Sequence, residues 1–263
     1  MEGSSTLMTW LTTVAISVGV TVVTYWGACG LVHYHFYVRR RADAHSWKLQ
    51  PARMPSREQV RLGLVLGSSN ILLGAVIGGS FATYVVLGGW SALYMDVHDW
   101  PLWWLPISAV ALTVMMDGGL YYSHRVLHGR WLFRNIHRHH HKFLAPTIFT
   151  MTAVHPLEFL MHQSVLIGCA FLLPVHWTVY VAVVLYTYLI GAIDHSGVRV
   201  SWPLPMHTSN RFHDDHHVYF HCNYGHHSDL FDRLHGTARR LDRHYDETTF
   251  GGRGAVKDSD GAA

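Results

Sequence analysis

Charge is scarce in this chain. Only 14% of its 263 residues are Asp, Glu, Lys or Arg, against about 25% in soluble domains, which argues against an ordinary water-facing surface. Cysteine is scarce too: Cys29, Cys169 and Cys222 stand far apart with no CxxC spacing, which removes zinc ribbons and a disulfide framework. Cys222, beside a histidine cluster, reads better as a small packed residue than as a ligand. Net charge is only +3 with histidines neutral, and no basic stretch interleaved with aromatics occurs outside the segments flanking apolar runs. Nucleic-acid binding therefore has no support.

Apolar sequence fills the gap. Hydrophobic residues make up 49% of the chain, with ten tryptophans, and a bilayer core needs about 20 apolar residues per helical span. Residues 7–38, 62–89 and 102–123 each suffice, the last turning polar at Asp117. A fourth run, 158–193, is interrupted at Pro174 and His176. It reads as a hairpin of two spans, 158–173 and 176–193, since proline stops the first helix. The expectation is an all-α integral membrane helical bundle with five passes, or three passes and a re-entrant pair. The first run extends well beyond a secretory h-region and follows acidic Glu2, so it is expected to be a retained anchor.

Basic residues orient the bundle. All 20 lysines and arginines fall within 39–61, 125–142 or 199–257, and such residues mark the cytoplasmic side of short loops. The implied topology puts these three segments in one cytosolic cap. Arg39, Arg40 and Arg41 are read as topogenic anchors. Gly74, Gly78, Gly79, Gly88 and Gly89 make the second span glycine-rich, which points to close helix packing.

The chain is richest in histidine, with 23. Most of the informative ones fall in three clusters just outside apolar runs: His124 and His128; His137, His140 and His141; His213, His216 and His217. Residues three and four apart share a helix face, so each cluster aims its rings at one point. Neutral imidazole binds zinc, iron, copper or nickel, and eight convergent rings exceed what one ion uses. A two-metal site follows. His195, ending an apolar run, either snorkels to water or reaches the site from the membrane side. His139 lies off the stripe, and His162, His176 and His207 have no partner at ligand spacing. Metal-bound histidines usually donate their other ring nitrogen to a carboxylate or carbonyl; Asp117, Glu158 and Asp194 are the candidates. His155 in HPLE, and Asn223, His221, His226 and His227 around NYGHH, lie near enough to support the ligands. Asp214 and Asp215 are equally readable as solvated loop acids.

The stretch YYSHRVLHGRWLFRNIHRHHHKFLAPTIFTMTAVHPLE, from Tyr121 to Glu158, resembles the membrane-bound fatty acid hydroxylase and sterol desaturase superfamily. So does HDDHHVYFHCNYGHHSDLFDRLHGT, from His213 to Thr237, whose HHVYFHCNYG and FDRLHGT look most like sterol C5-desaturases. The resemblance implies ligation of two metals by His124, His128, His137, His140, His141, His213, His216 and His217, with His195 as a ninth. It further implies a diiron oxidoreductase that uses dioxygen to desaturate or hydroxylate a lipid, a sterol foremost. A C4-methylsterol oxidase-type or other lipid hydroxylase is the alternative. No HPGG haem motif occurs, so electrons are expected from an external donor such as cytochrome b5 or a ferredoxin and its reductase.

A single domain is expected over residues 1–250 with its histidine-box core at 117–237, followed by a disordered tail at 251–263 rich in Gly, Asp and Ser. Iron suits the reaction, because breaking an unactivated C–H bond needs an oxidant made from dioxygen and two electrons; zinc also fits the donor set. A lipid tunnel is expected near Trp103, Trp104, Met115, Met116, Tyr121, Tyr122, Phe159 and Met161. The membrane is the endoplasmic reticulum in a eukaryote or the cytoplasmic membrane in a bacterium. Two non-enzymes remain as rivals, a membrane haem protein and a divalent-metal transporter.

Overall fold

The computed structural model describes residues 2–200 and 207–257. Within them run six helices of nine residues or more: α1, Gly3–Arg39; α2, Arg57–Val86; α3, Trp104–Leu127; α4, Pro156–Cys169; α5, Trp177–His195; and α6, Arg211–Tyr219. Four of these, α1, α2, α3 and α5, are long and apolar enough to cross a membrane. Their outer faces expose large apolar side chains such as Val23 (69%) and Leu31 (72%), an area that lipid covers and water does not. The chain is an all-α membrane bundle.

Local chemistry sets the helix ends. Ser56 caps α2 in a reciprocal capping box with Gln59, satisfying two backbone donors that the first turn leaves free. His155 caps α4 ahead of Pro156, where proline's missing N–H costs nothing. His176 caps α5 through Thr178 N–H and meets the Met95 carbonyl at 3.1 Å. It is therefore a buried structural histidine with no part in either metal group.

α1 and α2 pack along small residues. A Cβ at Gly79 would sit 2.6 Å from Val14 Cα, and one at Gly67 would collide with the Phe149 carbonyl at 2.5 Å, so only glycine permits the approach. Trp10 donates to Ser80 Oγ (2.9 Å) and Trp26 to Ser68 Oγ (3.0 Å), pinning the pair with hydrogen bonds that carry weight away from water. α1 widens into π-helical turns at Val22–Ala28 and Tyr34–Arg39. Each turns one tyrosine inward: Tyr25 Oη donates to Phe149 O (3.0 Å), and Tyr37 Oη lies within reach of Pro146 O (3.1 Å) and Ser196 O (2.8 Å). α1 is thus clamped to the loop that follows the second histidine cluster.

The expected hairpin forms, but its legs are unequal. α4 has 14 residues, about 21 Å at 1.5 Å per residue, short of the roughly 30 Å hydrocarbon core. The loop after α2 folds back to meet the hairpin tip. Leu93–Tyr94 pairs in parallel with Val175–His176, Ala92 N–H donates to Ala170 O (2.8 Å), and Trp104 donates to Pro174 O (2.8 Å). Leu112, Met116 and Leu120 of α3 pack with Leu166 of α4 and Val183 of α5 in the main apolar core.

Short elements close the other end into a polar cap. They are a helix at Arg130–Asn135, 3₁₀ turns at His137–Lys142 and Ile148–Thr152, α6, and a helix at Leu230–His235. Residues 251–257, expected to lack structure, instead fold back: Ala255–Val256 pairs antiparallel with Arg243–His244, and Gly252 lies against Thr237 and Tyr224. Strand pairing and the close seat of Gly252 hold a segment whose composition alone looked disordered. The remainder of the expected tail, 258–263, lies outside the described residues.

Candidate metal centre

Nine imidazoles converge where the bundle meets the cap. They form two groups, within each of which one ring nitrogen per residue lies within 4.8 Å of all the others. The first holds His124, His128, His137, His141 and His216; the second holds His140, His195, His213 and His217. All nine residues are buried. The nine form a compact pair of groups rather than a path through the bundle, unlike a transport route.

Helical geometry deals the ligands out. His124 and His128 end α3 one turn apart and both face the first group. The second cluster lies on a 3₁₀ turn rather than an α-helix, and it sends His137 and His141 to the first group and His140 to the second. α6 sends His216 to the first and both His213 and His217 to the second. Each H-x2-HH cluster thus serves both groups rather than one point. His195, at the end of α5, takes the membrane-side option left open by the sequence.

The outer ring nitrogens fix the inner ones. His124 Nδ1–H donates to Tyr224 O (2.8 Å), His216 Nδ1–H to Cys222 O (2.6 Å), His195 Nδ1–H to Gly191 O (2.7 Å) and His137 Nδ1–H to Glu158 Oε1 (2.7 Å). His221 Nε2–H donates to Glu247 O (2.9 Å), which leaves its Nδ1 to accept from His128 Nδ1–H at 3.0 Å. In the tautomers this network assigns, five rings keep the proton outside and turn an Nε2 lone pair inward. His137 Nε2 then lies 3.1 Å from the Nε2 atoms of both His124 and His141, and His195 Nε2 lies 3.1 Å from that of His140 and 3.0 Å from that of His213. Between His124 and His137, whose inward nitrogens both carry lone pairs in these tautomers, that distance is repulsive unless a cation sits between them. Ligating histidines with the other nitrogen anchored are the usual metal arrangement, so the residues fit one ion in each group.

Electrostatics agree. Burial, reinforced by neighbouring imidazoles, pushes His128, His137, His140, His141, His213, His216 and His217 well below their ordinary value. They stay neutral, which is the ligating form. Burial drives the Glu158 carboxyl well above its ordinary range.

The candidates for supporting residues separate. Glu158 holds a cluster ring directly. Asp117 accepts from His227 N–H (2.9 Å) and Ser228 Oγ; it ties down the loop after Tyr224 rather than any cluster imidazole. Asp194 takes His207 Nε2–H at 2.8 Å in a buried pair, and His207 belongs to neither metal group. Asn223 adopts a left-handed backbone (φ 54°) and bonds the Phe212 carbonyl and Arg239 N–H, so it shapes the turn without touching a ring. His155 is a helix cap beside His139. Asp214 is buried and accepts from Gln50 (2.9 Å), and Asp215 pairs with Arg239 (3.2 Å); neither is a free loop acid. Cys222 is buried outside both groups, as expected.

A cavity of about 90 Å³ opens between five of the nine rings and the bundle, lined by His124, His137, His140, His195 and His213 with Leu120, Met151, Phe159, Leu166 and Tyr188 among its apolar and aromatic residues. Of the expected tunnel residues only Phe159 lines it. Met116 and Tyr121 are packed into the core, and Trp103 and Tyr122 face outward at 61% and 47% exposure. Sequence reasoning missed His162, which lines the cavity, and the carbonyls of Gly191, Cys222 and Tyr224. Backbone acceptors have no sequence signal.

The fatty acid hydroxylase family model matches residues 109–237, the stretch that carries all nine rings, and the chain belongs to the fatty acid hydroxylase and sterol desaturase superfamily. Within it, the chain is similar to the lathosterol oxidase of Mus musculus, 34% identical over 155 residues, 57% of this chain and 52% of that protein. It is also similar to the Delta(7)-sterol 5(6)-desaturase of Schizosaccharomyces pombe, 30% identical over 156 residues, 59% of this chain and 52% of that protein. The lathosterol oxidase of Homo sapiens is 31% identical over 153 residues, 57% of this chain and 51% of that protein. The chain spans about half the length of these curated relatives. No solved structure matches it.

Proposed function

We propose that this protein is a membrane-bound oxidoreductase that holds two iron ions and uses dioxygen to oxidise a C–H bond of a lipid. The observation that carries the reading is the inward set of Nε2 lone pairs beside an apolar cavity, which would put redox-capable ions next to a lipid carbon. Two bound irons would supply the oxidising power that no amino-acid side chain has. His124, His128, His137, His141 and His216 would hold one, and His140, His195, His213 and His217 the other.

The chain's own residues do the rest. Glu158 and the three backbone carbonyls orient the rings, so the donor geometry is set before any ion arrives. Leu120, Phe159 and Leu166 keep water from the reacting carbon, which protects an oxidising site from side reactions. The lysine and arginine distribution supports a cytosolic cap, where an external carrier such as cytochrome b5 or a ferredoxin and its reductase would deliver electrons.

Similarity to lathosterol oxidases and Δ7-sterol desaturases favours a sterol substrate and removal of two neighbouring hydrogens. A hydroxylase uses the same ligands and cavity and differs in product. Lipid mass spectrometry on membranes containing the iron-loaded protein, an electron donor and dioxygen decides: loss of two hydrogens means desaturation, gain of one oxygen means hydroxylation. Absence of any oxygen-dependent product overturns the reading.

A further inference from the structure

The cavity wall contains two imidazoles that neither metal group uses. His162, on α4, and His226, in the turn after Tyr224, both line it. Their rings meet edge to face at 5.8 Å, and the His226 ring lies 5.1 Å from His124 and 6.0 Å from His213. Each carries a buried ring nitrogen without a partner, Nε2 of His162 and Nδ1 of His226.

Several other polar side chains of the cavity are bonded, whereas Glu158 Oε2 and the Nδ1 atoms of the candidate ligands His140 and His213 also lack a partner among the described residues. Gln163 donates to Tyr188 Oη, Thr187 to Val183 O (2.9 Å), Thr152 to Gly67 O (3.1 Å), and Glu158 accepts from His137. An unpaired polar group in an apolar enclosure is costly, so two of them side by side next to the candidate ions call for a polar partner from outside the chain. The cavity, about 90 Å³, is small beside the roughly 300–1,000 Å³ of ordinary small-molecule pockets. It encloses the reacting end of a lipid, not the whole molecule, so that end brings the polar partner.

We propose that His162 and His226 bind an oxygen function of the lipid, a hydroxyl or carbonyl, and thereby fix which carbon faces the metal centre. This rests on the lipid-oxidising reading and narrows it. The His226 ring lies 5.1 Å from the His124 ring and 6.0 Å from the His213 ring, so an oxygen hydrogen-bonded to it sits within a few carbon–carbon bonds of the candidate metal centre. The oxidised carbon is therefore close to the lipid's oxygen function, not far along an unmarked hydrocarbon tail. The two histidines are positioning residues, and the class of substrate is a hydroxylated or carbonyl-bearing lipid end, as in the ring of a sterol alcohol or the head of a fatty alcohol.

Binding to the full chain loaded with zinc tests this without turnover. Two matched pairs serve as probes: cholesterol with its 3-deoxy analogue, and 1-octadecanol with octadecane. Wild type is expected to bind the oxygenated member of at least one pair roughly tenfold tighter, the scale of one to two net hydrogen bonds. The double variant H162L/H226L is expected to lose that preference, and H162Q/H226N, which returns a polar atom near each unpaired nitrogen, to regain it. Rescue distinguishes anchoring from mere packing. No preference in either pair, no binding of any probe, or a preference that survives in H162L/H226L overturns the proposal. If the preference holds while iron-loaded wild type yields no oxygen-dependent product, the oxidative reading falls and the anchor stands.

Discussion

The Nδ1–H of His137 donates to Glu158 Oε1 at 2.7 Å, with each side chain only 1% exposed. Glu158 comes from the first turn of α4, so one hydrogen bond links the second histidine cluster to the membrane hairpin. It also sets the tautomer that frees His137 Nε2 for the first group.

Two replacements of that carboxyl separate its hydrogen bond from its packing. Glu158→Gln keeps an acceptor and is expected to retain both metals with modest loss of activity. Glu158→Leu leaves His137 Nδ1–H unpartnered and is expected to weaken metal binding 10–100-fold, the usual cost of losing such a partner. Metal titration of the two variants measures the difference; equal affinities would mean that Glu158 does not orient the ring.

Different groups predict different losses. His140 belongs to the four-histidine group and His128 to the five-histidine group. His140→Ala is expected to abolish product while leaving the protein membrane-inserted, with close to one metal per chain in elemental analysis. His128→Ala is expected to empty the other site preferentially. Wild-type turnover by His140→Ala would refute the ligand assignment.

What the sequence made legible was whatever has a period or a spacing. The apolar runs announced α1, α2, α3 and α5, and the three histidine clusters announced the rings that meet. His195 needed family resemblance, because a single histidine ending an apolar run has a bland alternative. Long-range pairings were hidden: Asp194 with His207, Asp117 with the 227–228 backbone, and His128 with His221 are each set by how the cap folds over the bundle. The cavity walls were hidden for a related reason. Met116 and Phe159 look alike as helical apolar residues, and only the packing of α3 on α4 buries the first and leaves the second lining the cavity.

Asn70 of α2 is such a hidden link. Its Nδ2 donates to the carbonyls of Thr152 (2.8 Å) and Val154 (2.9 Å), and the residue is 4% exposed. Asn70→Ala strands two buried carbonyls just ahead of α4, at a cost of about 1–3 kcal/mol. The expected result is a lower thermal midpoint in detergent together with weaker metal retention, since the same segment leads to Glu158. A midpoint equal to wild type would show that water replaces both bonds.

Acidity acts on the metal-free protein through the rings themselves. Seven cap histidines have folded-state values pushed well below about 6.5 by burial, whereas unfolded histidines titrate near about 6.5. Below that pH the unfolded chain binds more protons than the folded one, so stability falls as pH falls and is fully present only above it. Glu158 opposes the trend: its raised value favours the folded state at low pH and loses that contribution as pH rises, but it is one group against seven. Chelator-treated protein is therefore expected to unfold at a lower temperature at pH 5.5 than at pH 7.5. Metal-loaded protein is expected to resist until protons displace the ions, because ligation requires neutral imidazole. Thermal unfolding of both forms across that range gives the sign directly; a metal-free protein that gains stability on acidification would mean that the rings are solvated and not gathered in the folded cap.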